Sequence, residues 1–135
     1  MVVHSSMAAA WFLPDEQNEM ADSLMAHLGI TPGRVPPLFW FETRSLFSMA
    51  ERRGRLKSGD AAFSMAQLRN LSLEDAGSGD DHLILHLATK HRLTGYDASY
   101  VALAIREGRA LATLDKRLAH AARLEKADLI GPLRE

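Results

Sequence analysis

Short, wholly apolar runs alternate along the chain with longer stretches in which apolar residues return every three or four positions. The first pattern marks strands buried on both faces, and the second marks amphipathic helices. Met1-Val2-Val3 reads as a buried strand ending at His4, and Ala110-Leu111-Ala112-Thr113-Leu114 as another ending on Asp115. Leu71–Leu73 and Leu129-Ile130 are candidates for two more. The helical spacing predicts a small helix from Ser5 or Ser6 through Leu13, halted by Pro14. A longer helix is predicted over Asp15–Leu28, with Met20, Leu24 and Leu28 on one face and Gly29 as its stop. Further helices are predicted over Leu38–Arg53, Gly59–Asn70, Asp80–His91, Asp97–Glu107 and Lys116–Lys126, with Asp60 placed to cap the second of these. Thr31–Pro37, with three prolines, reads as a loop. Phe39, Phe47, Met49, Phe63 and Met65 read as core.

Short apolar strands alternating with helices are the pattern of an α/β domain around a mostly parallel sheet. No repeat, low-complexity tract or linker divides the chain, so residues 1–135 are expected to form a single domain, long enough to bury a core. In open sheets of this kind, ligands gather outside the carboxyl ends of the strands. His4 and Asp115 each follow a predicted strand and are expected to project into one crevice.

Two further carboxylates, Glu42 and Asp97, are placed to join them, making three acids in all. Each also has a purely structural use: Glu42 sits near a helix N-terminus, Asp97 follows Thr94 as in a capping box, and Asp115 can cap the next helix. Facing direction adds to this. Glu42, Leu46 and Met49 share one helical stripe, and Asp97, Val101 and Ala104 share another. A carboxylate on an inward stripe needs compensation, because desolvation and neighbouring acids both oppose its ionisation. A divalent cation such as Mg²⁺ or Mn²⁺ supplies it through oxygen ligands, and can polarise a phosphoryl oxygen and activate water.

Composition narrows the field. Cysteine is absent, which excludes disulfides, thiolate catalysis and thiolate metal sites and fits a reducing compartment. The apolar run Met7–Leu13 is far shorter than the about 20 residues a membrane span needs, and no signal segment is visible, so a cytoplasmic protein is expected. The net charge of −1 argues against wholesale electrostatic capture of nucleic acid, but the charge is uneven: residues 1–42 carry −4 and residues 43–70 carry +4. The basic strip, Arg52, Arg53, Arg55 and Lys57 included, either tracks a phosphate backbone or is a solvated face. His82 and His86 have the spacing of a helical metal pair but lack the zinc-protease Glu, and Gly77-Ser78-Gly79 lacks the Lys-Ser/Thr of a phosphate loop. Ser5 and Ser6 have no partner base for nucleophilic catalysis.

Several stretches together resemble the PIN-domain nucleases, in particular the VapC-type toxins of bacterial toxin–antitoxin pairs. They are Val2-Val3-His4-Ser5-Ser6, Ala10-Trp11-Phe12-Leu13-Pro14-Asp15-Glu16, and Glu42 ahead of Arg52-Arg53-Gly54-Arg55-Leu56. Leu93-Thr94-Gly95-Tyr96-Asp97-Ala98-Ser99-Tyr100 and Leu111-Ala112-Thr113-Leu114-Asp115-Lys116-Arg117-Leu118 are the most specific. The resemblance implies a three-layer α/β/α sandwich, Mg²⁺ or Mn²⁺ held by clustered acids, and endonucleolytic cleavage of RNA. It also implies homodimers and a small VapB-like antitoxin bound across the active face. Glu42, Asp97 and Asp115 match the family's acidic positions, and Ser6 and Thr113 its supporting hydroxyls. Arg52, Arg53, Arg55 and Lys57 would guide the RNA backbone, or else make dimer or antitoxin contacts.

The family's first Asp falls on His4. Imidazole removes a negative charge and hard oxygen donors, so Mg²⁺ suffers most and Mn²⁺, Zn²⁺ or Ni²⁺ less. Three readings of His4 stand at this stage: a metal ligand, an internal cation among the acids, or a hydrogen-bonded strand end that ligates nothing. The chain is accordingly read as a metal-dependent endoribonuclease impaired at His4. The rivals are a catalytically silent module that keeps antitoxin, dimer or RNA binding, and an unrelated α/β domain that binds anions.

Overall fold

All neighbouring strands in this protein run parallel, so each link between strands must cross the sheet and helices fill the crossings. The computed structural model describes residues 1–135. Its strands are β1 (Val2–Val3), β2 (Gly33–Val35), β3 (Leu73–Asp75), β4 (Leu111–Ala112) and β5 (Leu129–Ile130), in the order β3-β2-β1-β4-β5. Val2 pairs with Arg34 on one side and Leu111 on the other, while Val3 pairs with Ala112. Gly33 lies opposite Leu73, and Leu111 opposite Leu129.

The crossings are α1 (Ser5–Phe12) with α2 (Glu19–His27), then α3 (Leu38–Arg52) with α4 (Asp60–Arg69). They continue with α5 (Asp81–His91) and α6 (Gly95–Glu107), and end with α7 (Lys116–Leu124). The path β1→β2→β3 moves one way across the sheet, and β3→β4→β5 moves the other. Right-handed crossovers therefore put α1–α4 on one face and α5–α7 on the opposite face. The packing agrees, pairing α1 with α2 and α3, α3 with α4, and α6 with α5 and α7. The result is the expected three-layer α/β/α sandwich. Val2, Val3, Leu111 and Ala112 are fully buried between Met7, Phe39 and Phe47 and the other layer's Tyr100 and Leu118. No helix is long and apolar enough to cross a membrane.

Several boundaries differ from the sequence expectation, each for a local reason. The expected loop Thr31–Pro37 contains the interior strand β2, whose prolines stand just outside its three residues. Gly33 is needed there, because a Cβ would come within 2.9 Å of the Leu28 and Leu73 methyls. β4 ends at Ala112 rather than Leu114, since the Leu114 N–H is taken by the Ser6 hydroxyl instead of a neighbouring strand. β3 starts at Leu73, not Leu71. α2 begins only at Glu19, where the Asn18 side chain accepts from Ala21 N–H, and its buried face is Ala21, Leu24 and Leu28, with Met20 turned outward. Asp60 does not cap α4. The Glu51 carboxylate of α3 does so, accepting from Gly59 and Ala61 N–H at 3.0 Å each. The buried stripe of α3 is Phe39, Thr43, Phe47 and Ala50, one position round from Glu42, Leu46 and Met49, which flank it half-buried. Phe63 is 62% exposed and outside the core.

Candidate active site

The sheet reverses direction of travel between β1 and β4, and the crevice of an open α/β sheet lies beyond such a switch point. His4 leaves β1 there and is only 6% exposed. It caps α1, receiving the Ser6 N–H on Nδ1 at 3.3 Å. The Ser6 and Thr113 hydroxyls stand 2.8 and 3.1 Å from the same nitrogen and 3.3 Å from each other. Each hydroxyl oxygen already accepts a backbone N–H, Leu114 on Ser6 and Asp115 on Thr113, leaving its proton free to donate. The Ser6 backbone N–H and both hydroxyls crowd around Nδ1. Nε2 faces Asp97 Oδ1 at 3.5 Å. Ser6 and Thr113 thus brace the ends of β1 and β4 around the imidazole.

α6 starts at Gly95, two residues before the expected Asp97, with Thr94 as its cap; Asp97 in the first turn donates its N–H to Thr94 Oγ1 at 3.0 Å, as in a capping box, while its side chain turns to His4. Its stripe continues inward through the buried Val101 and Ala104. Glu42 arrives from α3 in the other layer and meets this group indirectly. Tyr100 of α6, fully buried, donates its hydroxyl to Glu42 Oε1 at 2.5 Å and packs edge-on to His4, with ring centroids 4.6 Å apart. Burial above all, then the hydrogen bond to Glu42 and its charge, raises the Tyr100 hydroxyl well above the usual phenol range. The sequence reading missed Tyr100. Its only signal is position, three residues after Asp97 and so one turn along the same helix. Asp115 does cap α7, its Oδ1 accepting Arg117 and Leu118 N–H at 2.9 and 3.1 Å.

These side chains gather at one end of the sheet, yet they do not make a site for Mg²⁺ or Mn²⁺ as they stand. No three His, Asp or Glu side chains converge to hold an ion. No buried polar side-chain atom lacks a partner that a cation would replace. His4 presents Nδ1 to the Ser6 and Thr113 hydroxyls and Nε2 to Asp97 Oδ1 at 3.5 Å.

Of the basic candidates, Arg52, Arg53 and Lys57 are exposed at and beyond the end of α3. Arg55 is committed elsewhere, paired with Asp15 at 2.9 and 3.0 Å and with Glu16. His82 and His86 are exposed on α5, and His91 bonds Glu125 at 2.6 Å.

Comparison with known proteins agrees with the geometry. The PIN domain family matches residues 1–124. Ribonuclease VapC3 of Pyrobaculum aerophilum is 31% identical over 130 residues, spanning 88% of this chain and 92% of that protein. The crystal structure of PAE2754 from Pyrobaculum aerophilum shares the fold, with a TM-score of 0.72 at 22% identity over 90% of this chain and 78% of that one. Matched by the family over nearly its whole length and by a VapC relative over most of it, this chain belongs to the PIN-domain family as a VapC-type member.

Proposed function

We propose that the chain is a VapC-like toxin, a single-domain endoribonuclease that cuts RNA phosphodiesters, and that His4 impairs it. The observation that carries this reading is the imidazole standing at the acid position, held by Ser6 and Thr113 and turned toward Asp97. A carboxylate at position 4 would face Asp97 at short range, and two like charges that close are relieved either by a cation or by a shared proton. In the His4→Asp protein the family's ion, Mg²⁺ or Mn²⁺, would be held by the new Asp with Asp97 and Asp115, Glu42 in support. In the chain as written, the imidazole replaces that charge, and no chemical step is assigned to a metal.

A second reading is a catalytically silent PIN module that keeps its binding surfaces. What favours it is the complete hydrogen bonding of the crevice, where every buried polar side-chain atom has a partner. Under either reading the family kinship suggests a VapB-like antitoxin, a homodimer and a cytoplasmic setting, with Arg52, Arg53 and Lys57 free to approach RNA or a protein partner.

Total RNA incubated with Mg²⁺ or Mn²⁺ separates the two. Cleavage by the His4→Asp protein, and far less by the protein as written, supports an impaired nuclease, and adding Asp115→Asn should then abolish it. Absence of cleavage by both folded proteins favours the silent module.

A further inference from the structure

His82 and His86 lie four residues apart within α5, which runs from Asp81 to His91. That spacing sets two side chains over one another on one helical face, with Cβ atoms about 5–6 Å apart. From there two imidazoles can reach a single ion at the usual nitrogen–metal distance of about 2.0–2.1 Å. His82 stands in the first turn, where helices fray, yet this turn is fixed. The Asp80 side chain accepts the Leu83 N–H at 3.2 Å, and its carbonyl accepts the Ile84 N–H at 2.9 Å. Ile84 and Leu87 anchor the helix as its buried residues.

Both rings are exposed. The His4 and His91 rings are spent on Ser6, Thr113 and Glu125, whereas those of His82 and His86 bond nothing in the chain. The surrounding charge also admits a cation. Lys90, one turn beyond His86, is drawn off to Glu125 at 2.7 Å. Arg106 and Asp80 cancel in an ion pair, leaving the Asp81 carboxylate as the unpaired charge next to His82. Donor type narrows the ion. Two imidazole nitrogens favour Cu²⁺ above Ni²⁺ and Zn²⁺, whereas Mg²⁺ and Mn²⁺ prefer oxygen.

We propose that His82 and His86 form a two-histidine chelate for a nitrogen-seeking divalent cation, with Cu²⁺ bound most tightly and water filling its other positions. The site shares no residue with the crevice, so its failure leaves the ribonuclease reading untouched.

The test titrates Cu²⁺ alone into the full chain by calorimetry, in a buffer that does not bind metal, and reads the bound nitrogens by electron paramagnetic resonance. His82→Ala and His86→Ala change exposed side chains, so circular dichroism should show both folded like the parent. Each should weaken binding about a hundredfold or more, because holding both rings on one helix supplies the affinity. The double alanine variant should bind no more weakly than either single one. His86→Ala combined with Thr89→His keeps two exposed rings but sets them two turns apart, about 10.5 Å along the axis and directed the same way. It should bind like His86→Ala. Single alanine variants that bind Cu²⁺ as the parent does overturn the chelate, as does full affinity in the Thr89→His variant. So does a parent resonance spectrum that His82→Ala leaves unchanged.

Discussion

Tyr100→Phe deletes one buried hydroxyl and keeps the ring that packs against His4, so it isolates the link between the two helical layers. The lost hydrogen bond ends on the carboxylate of Glu42, and bonds to charged groups contribute about 1.5–3 kcal/mol. Glu42 is only half-buried, so water replaces part of the bond, and the cost near neutral pH should fall at the low end, about 1.5 kcal/mol. Alkaline pH supplies a second signature. The folded state holds the Tyr100 proton above the phenol value of 10.0, while the unfolded chain releases it near that value. Above about pH 10 the unfolded state therefore binds fewer protons, and stability falls by about 1.4 kcal/mol per pH unit from this group alone. The Phe variant lacks that slope. Urea unfolding of both proteins from neutral pH to about pH 11 should show a gap that narrows above about pH 10. A Phe variant as stable as the parent at neutral pH, or a gap that stays constant through the alkaline range, would refute the role given to Tyr100.

Glu51→Ala removes the acceptor for two N–H groups at the start of α4 and should cost about 1–2 kcal/mol in urea unfolding, as loss of a helix cap does. Gly33→Ala drives a methyl to within 2.9 Å of Leu28 and Leu73 and should destabilise by about 1–3 kcal/mol, measured the same way. The Arg34 guanidinium, bonded to both Glu107 oxygens, holds that carboxyl below its usual 4.5. Its contribution is therefore present above that pH and lost as pH falls below it. Acid titrations of thermal unfolding for the parent and Glu107→Gln should differ near neutral pH and converge at the acid end.

Much of this architecture was legible because burial on both faces and helical spacing are properties of the sequence itself. Val2-Val3, Leu111-Ala112 and Leu129-Ile130 are apolar because helices cover both sides of the sheet, and all three are strands. β2 was hidden because an interior strand of three residues beginning with Gly and walled by prolines carries no period at all. The inward placement of Asp97 was legible from Val101 and Ala104, since α6 presents that stripe directly to the core. For Glu42 the same reasoning chose the neighbouring stripe. Thr43, which spends its hydroxyl on the Phe39 and Trp40 carbonyls, is the buried member of α3, and nothing in its polarity announces this. The Glu51 cap and the Tyr100–Glu42 bond join residues far apart in sequence, so only the packed layers reveal them. At position 4, three readings of the histidine were open from sequence. The contacts its Nδ1 makes with Ser6 and Thr113 were not legible there, because they depend on Thr113 meeting β1 across the sheet.

Calorimetric titration of Mn²⁺ into the protein as written and into His4→Asp bears most directly on whether one side chain separates this crevice from a working metal site. The His4→Asp protein should bind the ion with measurable heat and gain thermal stability with rising Mn²⁺, while the parent shows neither. Equal Mn²⁺ affinity in the two proteins would contradict the role assigned to His4.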